Sequence, residues 1–270
     1  MKESQVLRTI IAARRRRIQE LRASVPMEQV RRAAEKRSDF RDFASALSGE
    51  MLSVIAELKK ASPSRGLIRP DFQPLEIAES YQQAGASALS VLTEEEFFQG
   101  SLNDLTAVRE SVYLPVLRKD FIVDEYQVYE SVAAGADAFL LIVAALEDKD
   151  LKHFLELSGR LRVAALVEVH TAEDLDRAIA AGARIIGINN RNLNTLEVSL
   201  DTSFRLREKI PASCLAISES GIKIGADLER LAKAGFNAVL IGEHLMLAAN
   251  PGEELSHLLK SAPTLKMAGA

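Results

Sequence analysis

Four segments of this chain repeat one layout: Ala84-Gly85-Ala86-Ser87-Ala88, Ala134-Gly135-Ala136-Asp137-Ala138, Ala181-Gly182-Ala183-Arg184-Ile185 and Ala234-Gly235-Phe236-Asn237-Ala238. Each closes a stretch with helical apolar spacing and opens a short apolar run. Glycine suits the left-handed position that ends a helix. The four sites precede the second, fourth, sixth and eighth apolar runs, two strand–helix units apart. A chain built this way repeats one supersecondary unit. The repeats read as structural turns on the face away from any chemistry.

The apolar runs predict strands at 54–59, 88–93, 115–121, 138–143, 162–169, 185–190, 215–220 and 238–242. Amphipathic helices are expected at about 74–84, 101–111, 125–134, 148–159, 172–181, 200–209 and 225–234, with a last one near 252–260. Eight alternating units imply a parallel sheet with its helices outside, and eight such strands close into a (β/α)8 TIM barrel, an α/β fold. The 270 residues suffice for one such domain, which needs about 250. Before the barrel, Leu7, Ile10, Ile11, Ile18 and Leu21 mark a helix over 4–22. Residues 26–50 read as a second helical piece. The expected organisation is an N-terminal helical extension (1–50) packed on the barrel, a catalytic barrel (51–262) and a C-terminal tail (263–270).

Charge and composition exclude several classes. The net charge of -4 offers no general attraction to nucleic acid or anionic membrane. The run Arg14-Arg15-Arg16-Arg17 lacks aromatic interleaving and reads as a solvated helix face, not a nucleic-acid arm. No apolar stretch reaches the roughly 20 residues of a membrane-spanning helix, and Met1–Gln5 opens no signal peptide. The single cysteine, Cys214, excludes an internal disulfide and suits a reducing cytoplasm. The four histidines show no metal-ligand spacing, so no metal site is expected.

In a TIM barrel the chemistry sits at the C-terminal strand ends. Val54-Ile55-Ala56-Glu57-Leu58-Lys59 is an apolar run into which charge enters near its end. Side chains alternate along a strand, so Glu57 and Lys59 share the face of Ile55. Buried charges are costly unless paired or used. Lys119 shares a face with Leu117 and Phe121, and Glu168 is a lone carboxylate in an apolar strand. Glu57, Lys59, Lys119 and Glu168 thus meet at the mouth, placed for proton transfer. Ser62 lies in the polar loop that follows the first strand. Asn189 and Arg191 supply a donor and a fixed cation for a substrate carboxylate. Ser220-Gly221 and Gly242-Glu243 end strands 7 and 8, the usual phosphate position of this fold, where backbone N–H groups can approach an anion.

With these residues in view, the sequence resembles the indole-3-glycerol phosphate synthase family over about Val54–Met246. The resemblance rests on Glu57-x-Lys59-x-x-Ser62-Pro63-Ser64, Ser90-Val91-Leu92-Thr93 with Phe97-Phe98-x-Gly100-Ser101, Leu117–Phe121, Val167-Glu168-Val169, Ile188-Asn189-x-Arg191-x-Leu193 and Glu219-Ser220-Gly221-Ile222. It implies decarboxylating ring closure and dehydration of 1-(2-carboxyphenylamino)-1-deoxyribulose 5-phosphate, in tryptophan synthesis, with no metal or organic cofactor. It further implies that Lys119 is the general acid and Glu168 takes part in dehydration. Glu57 orients the lysines, and Lys59 faces the phosphate or the developing oxyanion. Phe98, Phe121 and Leu193 wall the aromatic ring; Ser220, Gly221 and Gly242 bind phosphate. The implied partner is a small-molecule sugar phosphate, with other tryptophan-pathway enzymes left open. One departure stands out: Glu243 occupies a position where the family often has serine. Its side chain is expected to face away from phosphate, leaving only its N–H to bind. A Schiff-base sugar-phosphate aldolase using Lys119 or Lys59, and a non-catalytic sugar-phosphate-binding barrel, remain as alternatives.

Overall fold

The structure, a computed structural model, describes residues 5–192 and 195–262. The expected tail 263–270 and Leu193 lie outside the described residues. Eight parallel strands close into a barrel: β1 (Ser53–Leu58), β2 (Ala88–Leu92), β3 (Val116–Lys119), β4 (Ala138–Ile142), β5 (Ala164–Val169), β6 (Ile185–Asn189), β7 (Leu215–Glu219) and β8 (Ala238–Ile241). Each strand pairs with its sequence neighbours, and β1 closes onto β8 through Ser53↔Ala238 to Ala56↔Ile241. All eight lie where the apolar runs predict, within two residues at each end. The helices that cross between strands are α4 (Pro74–Ala84), α5 (Leu102–Ser111), α6 (Glu125–Ala133), α7 (Asp148–Leu161), α8 (Ala172–Ala180), α9 (Asp201–Arg207) and α10 (Gly225–Lys233). After β8 come α11 (Glu243–Leu247) and α12 (Pro251–Lys260); α11 was not anticipated.

Local chemistry explains the helix ends. Ser101, Asp124, Thr171 and Asn250 each cap a helix by accepting a backbone N–H, satisfying one otherwise orphaned donor. In the four repeated turns Gly85, Gly135, Gly182 and Gly235 have φ of 98°, 97°, 91° and 79°, the left-handed region that favours glycine. The repeats are therefore the helix-to-strand turns that the sequence implies.

Two apolar layers build the core. One lies between barrel and helices and includes Val54, Leu58, Leu89, Phe139 and Val167. The other fills the barrel interior with Ile55, Leu117, Leu140, Leu166, Ile217 and Leu240. The N-terminal extension reaches both ends of the barrel. Its α1 (Gln5–Ser24) sends Val6, Leu7 and Ile10 to the mouth, and α2 (Met27–Lys36) follows. The short α3 (Phe43–Ala46) and the residue after it send Phe43 and Leu47 into the interior layer, where both are buried.

The arginine run corrects one expectation. It is not wholly a solvated face. Arg14 is buried and its Nη2 donates to Asp120 Oδ2 at 2.9 Å. Arg17 bonds Glu95 and Arg16 bonds Glu96, both in the loop after β2. Of the four, Arg15 is exposed and makes no hydrogen bond or close ion pair among the described residues. The partners lie some eighty to a hundred residues away, beyond the reach of local periodicity.

Candidate active site

The inward residues of four strands follow one rule: apolar first, charged two residues later. Ile55 precedes Glu57, Leu117 precedes Lys119, Leu166 precedes Glu168 and Ile217 precedes Glu219. Period-two alternation keeps each pair on one face, so the charges form a layer just above the apolar barrel interior. That layer is the floor of a cavity of about 660 Å³.

Lys119 Nζ donates to Glu168 Oε2 at 2.9 Å and stands 3.6 Å from Glu219 Oε2. Lys59 Nζ donates to Glu57 Oε2 at 2.7 Å. Burial alone would lower the Lys119 pKa, but Glu168, Glu219 and Glu57 outweigh it and hold the ammonium charged. Burial opposes ionisation of Glu168, yet the Lys119 ammonium holds its pKa down, so it is a carboxylate at neutral pH. Glu219 goes the other way. Burial, with Glu168 beside it, pushes its pKa up to about 8. Two carboxyls near one ammonium titrate apart: one keeps the charge and the other keeps a proton. Among the described residues neither oxygen of Glu219 has a hydrogen-bond donor. Behind Glu168, His170 Nε2 lies 3.4 Å from Oε1; burial lowers its pKa, leaving the imidazole neutral.

Two glycines make room for the carboxylates. A Cβ on Gly187 would collide with Glu219 Oε1, and one on Gly242 would collide with Glu57 Oε2. Gly242 is thus needed at β8 for packing against Glu57, a reason independent of any anion.

The structure brings most of the expected residues to this cavity. Glu57, Lys59, Ser62, Phe98, Lys119, Phe121, Glu168, Asn189, Arg191, Ser220, Gly221, Gly242 and Glu243 all line it. The Phe98 and Phe121 rings stand 5.9 Å apart at a tilt of 40°. Phe98 is held by Glu94, a buried carboxylate that accepts the N–H groups of Glu96, Phe97 and Phe98. Asn189 Oδ1 accepts the Arg191 N–H at 3.0 Å. Ser62 sits in a two-stranded hairpin (Ala61–Ser62 with Gly66–Leu67). Ser220 and Gly221 have φ of 68° and 87°. A serine in the left-handed region is uncommon and turns this backbone sharply at the rim.

Glu243 departs from expectation. Its side chain does not face away but lines the cavity, where Oε1 accepts from Arg65 Nε at 3.1 Å and Oε2 from Arg191 Nη2 at 3.2 Å. The two guanidinium groups supply the attraction that turns it inward. Sequence reasoning passed over Glu219, although it carries the same signal as Glu168, a lone carboxylate on the inward face of an apolar strand. It also missed Val6, Leu7 and Ile10 of α1 and Leu196 and Val198 after β6, which add apolar wall. No local pattern tells which loop or helix will fold over a mouth. Among the described residues no helix is long and apolar enough to cross a membrane.

A family model described as indole-3-glycerol phosphate synthase matches residues 7–258. A protein named indole-3-glycerol phosphate synthase from Laribacter hongkongensis is 50% identical over 260 residues, spanning 94% of this chain and 99% of its own length. One of the same name from Chloroherpeton thalassium is 55% identical over 241 residues, spanning 88% and 93%. Among solved structures, a mandelate oxidase mutant with benzaldehyde aligns at a TM-score of 0.61 and 19% identity, covering 88% of this chain and 84% of that one. A thiamine phosphate pyrophosphorylase from Pyrococcus furiosus aligns at 0.60 and 14%, covering 79% and 96%. At such identities the two structures speak to the fold alone.

Proposed function

This chain belongs to the indole-3-glycerol phosphate synthase family, and from that premise we propose how its mouth closes the indole ring. The reaction converts 1-(2-carboxyphenylamino)-1-deoxyribulose 5-phosphate to indole-3-glycerol phosphate, CO2 and water, in tryptophan biosynthesis. The ring carbon bearing the carboxylate attacks the ribulose carbonyl carbon. The new carbon–carbon bond forms, the bond to the carboxylate breaks and CO2 leaves. The former carbonyl oxygen takes one proton to become a hydroxyl, then a second, and departs as water once the neighbouring CH2 loses a proton.

Lys119 is the general acid for the carbonyl oxygen. Its neighbouring carboxylates keep it protonated, so a proton is present when negative charge develops there. Glu168, held ionised by Lys119, accepts a proton during dehydration. Protonated Glu219 stands beside the same ammonium and supplies a second proton, to the departing hydroxyl. Glu57 fixes Lys59, which faces the developing oxyanion. The aromatic ring lies against Phe98 and Phe121, its carboxylate toward Asn189 and Arg191. The phosphate sits at the backbone N–H groups of Ser220, Gly221 and Gly242–Glu243. We take 51–262 as the catalytic barrel and 1–50 as an extension that roofs the mouth and plugs the base. The enzyme works in the cytoplasm on a small sugar phosphate, and other enzymes of tryptophan synthesis supply its substrate and consume its product.

The observation that carries this reading is the Lys119–Glu168 contact of 2.9 Å beside an undonated Glu219. Incubation with the ribulose phosphate should produce indole fluorescence together with CO2. Borohydride should trap no substrate adduct; a trapped lysine adduct without indole would favour the aldolase. Substrate binding without either product would favour the non-catalytic barrel.

A further inference from the structure

One carboxylate ties three separate loops of the mouth together. Arg65 lies in the hairpin after β1, Arg191 follows β6 and Glu243 follows β8. Glu243 Oε1 accepts from Arg65 Nε at 3.1 Å and Oε2 from Arg191 Nη2 at 3.2 Å. The Glu243 side chain is 23% exposed, Arg191 26% and Arg65 59%. All three line the cavity together with Ser220, Gly221 and Gly242. The partly buried lysines of the same mouth, Lys59 and Lys119, are already held by Glu57 and Glu168.

We propose that Glu243 is a resident competitor for Arg65 and Arg191, which a phosphate-bearing substrate displaces from at least one of them, so that this side chain sets the mouth's affinity for anions. The inference rests on the phosphate position given above. Gly242 and Glu243 are consecutive, so a phosphate on their N–H groups stands within reach of the Glu243 carboxylate. Like charges repel there, and Arg65 and Arg191 are the cations that Glu243 already engages. Arg191 has several planar N–H donors, so it can keep Glu243 on one edge and accept a substrate carboxylate on another. Arg65 sits on the more exposed hairpin and is the partner that phosphate takes over. A rim ion pair serving only as a tie would lower thermal stability on removal and leave anion affinity unchanged.

Calorimetric titration with inorganic phosphate separates the two. Glu243→Gln keeps size and hydrogen bonding but removes the competing charge. It should bind phosphate about fivefold tighter, the size of one partly exposed charge interaction, with KM for substrate falling by a similar factor and kcat changing less. Adding Arg65→Gln to that variant should return phosphate affinity toward wild type. Should Glu243→Gln not fold, Glu243→Ser makes the same test. Unchanged or weaker phosphate binding in the folded variant overturns the proposal. Phosphate titration needs no turnover, so a wild-type protein that makes no indole refutes the proposed function without deciding this question.

Discussion

Both ends of the barrel bury carboxylates beside cations, but at the mouth one of them, Glu219, accepts no hydrogen bond among the described residues. At the base, Asp137 is fully buried and saturated. Its oxygens accept from Arg37 Nη2 at 2.6 Å, Arg109 Nε at 2.9 Å and the backbone N–H groups of Arg41 and Val116 at 3.0 Å each. Arg41 in turn donates to the carbonyls of Leu114 and Arg109, and Arg37 donates to the carbonyl of Ala136. At the mouth, Glu219 is as deeply buried and has no donor on either oxygen among the described residues, while Lys119 leans on three carboxylates. A saturated network fixes geometry and has nothing left to offer a ligand. An undonated one keeps proton positions open, which chemistry requires and stability does not.

That contrast can be broken most severely at the mouth. Glu168→Gln removes the charge that Lys119 and His170 both face, and should lower kcat by about 10²–10⁴, the range for a placed proton-transfer group. Stability should change little, because the amide keeps an acceptor. At the base the expected result is reversed. Asp137→Ala leaves Arg37 and Arg109 without their buried carboxylate and facing only the exposed Asp39, and breaking a buried pair costs about 3–5 kcal/mol. In a chain of this size that lowers Tm by roughly 5–10 °C, while kcat of the folded fraction holds. A base variant that loses turnover but not Tm would erase the distinction.

A smaller effect appears in the pH dependence of stability. The folded Glu219 pKa, about 8, lies above the usual carboxylate value. Below about pH 4 the group is protonated folded or unfolded. Between there and about 8 the unfolded chain has released its proton and the folded chain keeps it, so stability falls as pH rises through that window. Glu219→Gln should flatten the fall, measured as Tm against pH from 5 to 9. An unchanged slope would mean that Glu219 is ionised in the folded enzyme and is no proton donor.

The smallest effects lie on α1. Arg14→Gln removes a buried partner of Asp120 and should lower Tm measurably. Arg15→Gln, at an exposed residue with no hydrogen bond or close ion pair among the described residues, should alter neither Tm nor activity. Equal effects from the two would leave the buried contact without consequence.

Much of this was legible because it depends on short-range periodicity. The turns at Gly85, Gly135, Gly182 and Gly235 and the strand parity of Glu57, Lys119 and Glu168 are set by residues within a few positions. What escaped depends on partners far along the chain. Arg14 is buried because Asp120 waits for it, and Glu243 turns inward because Arg65 and Arg191 lie there. Glu219 is a different case. Its alternation with Ile217 was available, but its place in Glu219-Ser220-Gly221 drew attention to the phosphate loop instead.

The central claim is that Lys119 is held charged at the mouth to protonate the carbonyl oxygen in the transition state. The direct test is the steady-state rate of indole fluorescence for Lys119→Met, on a sample shown to be folded by its Tm. Methionine keeps the apolar stem and deletes the charge and the proton. The charge on the oxygen develops only in the transition state, so kcat should fall by about 10²–10⁴. KM should move far less, since the proposed phosphate and ring contacts do not involve Lys119. A folded Lys119→Met enzyme within about threefold of wild-type kcat, far outside that range, would contradict the account and shift the acid role to Lys59.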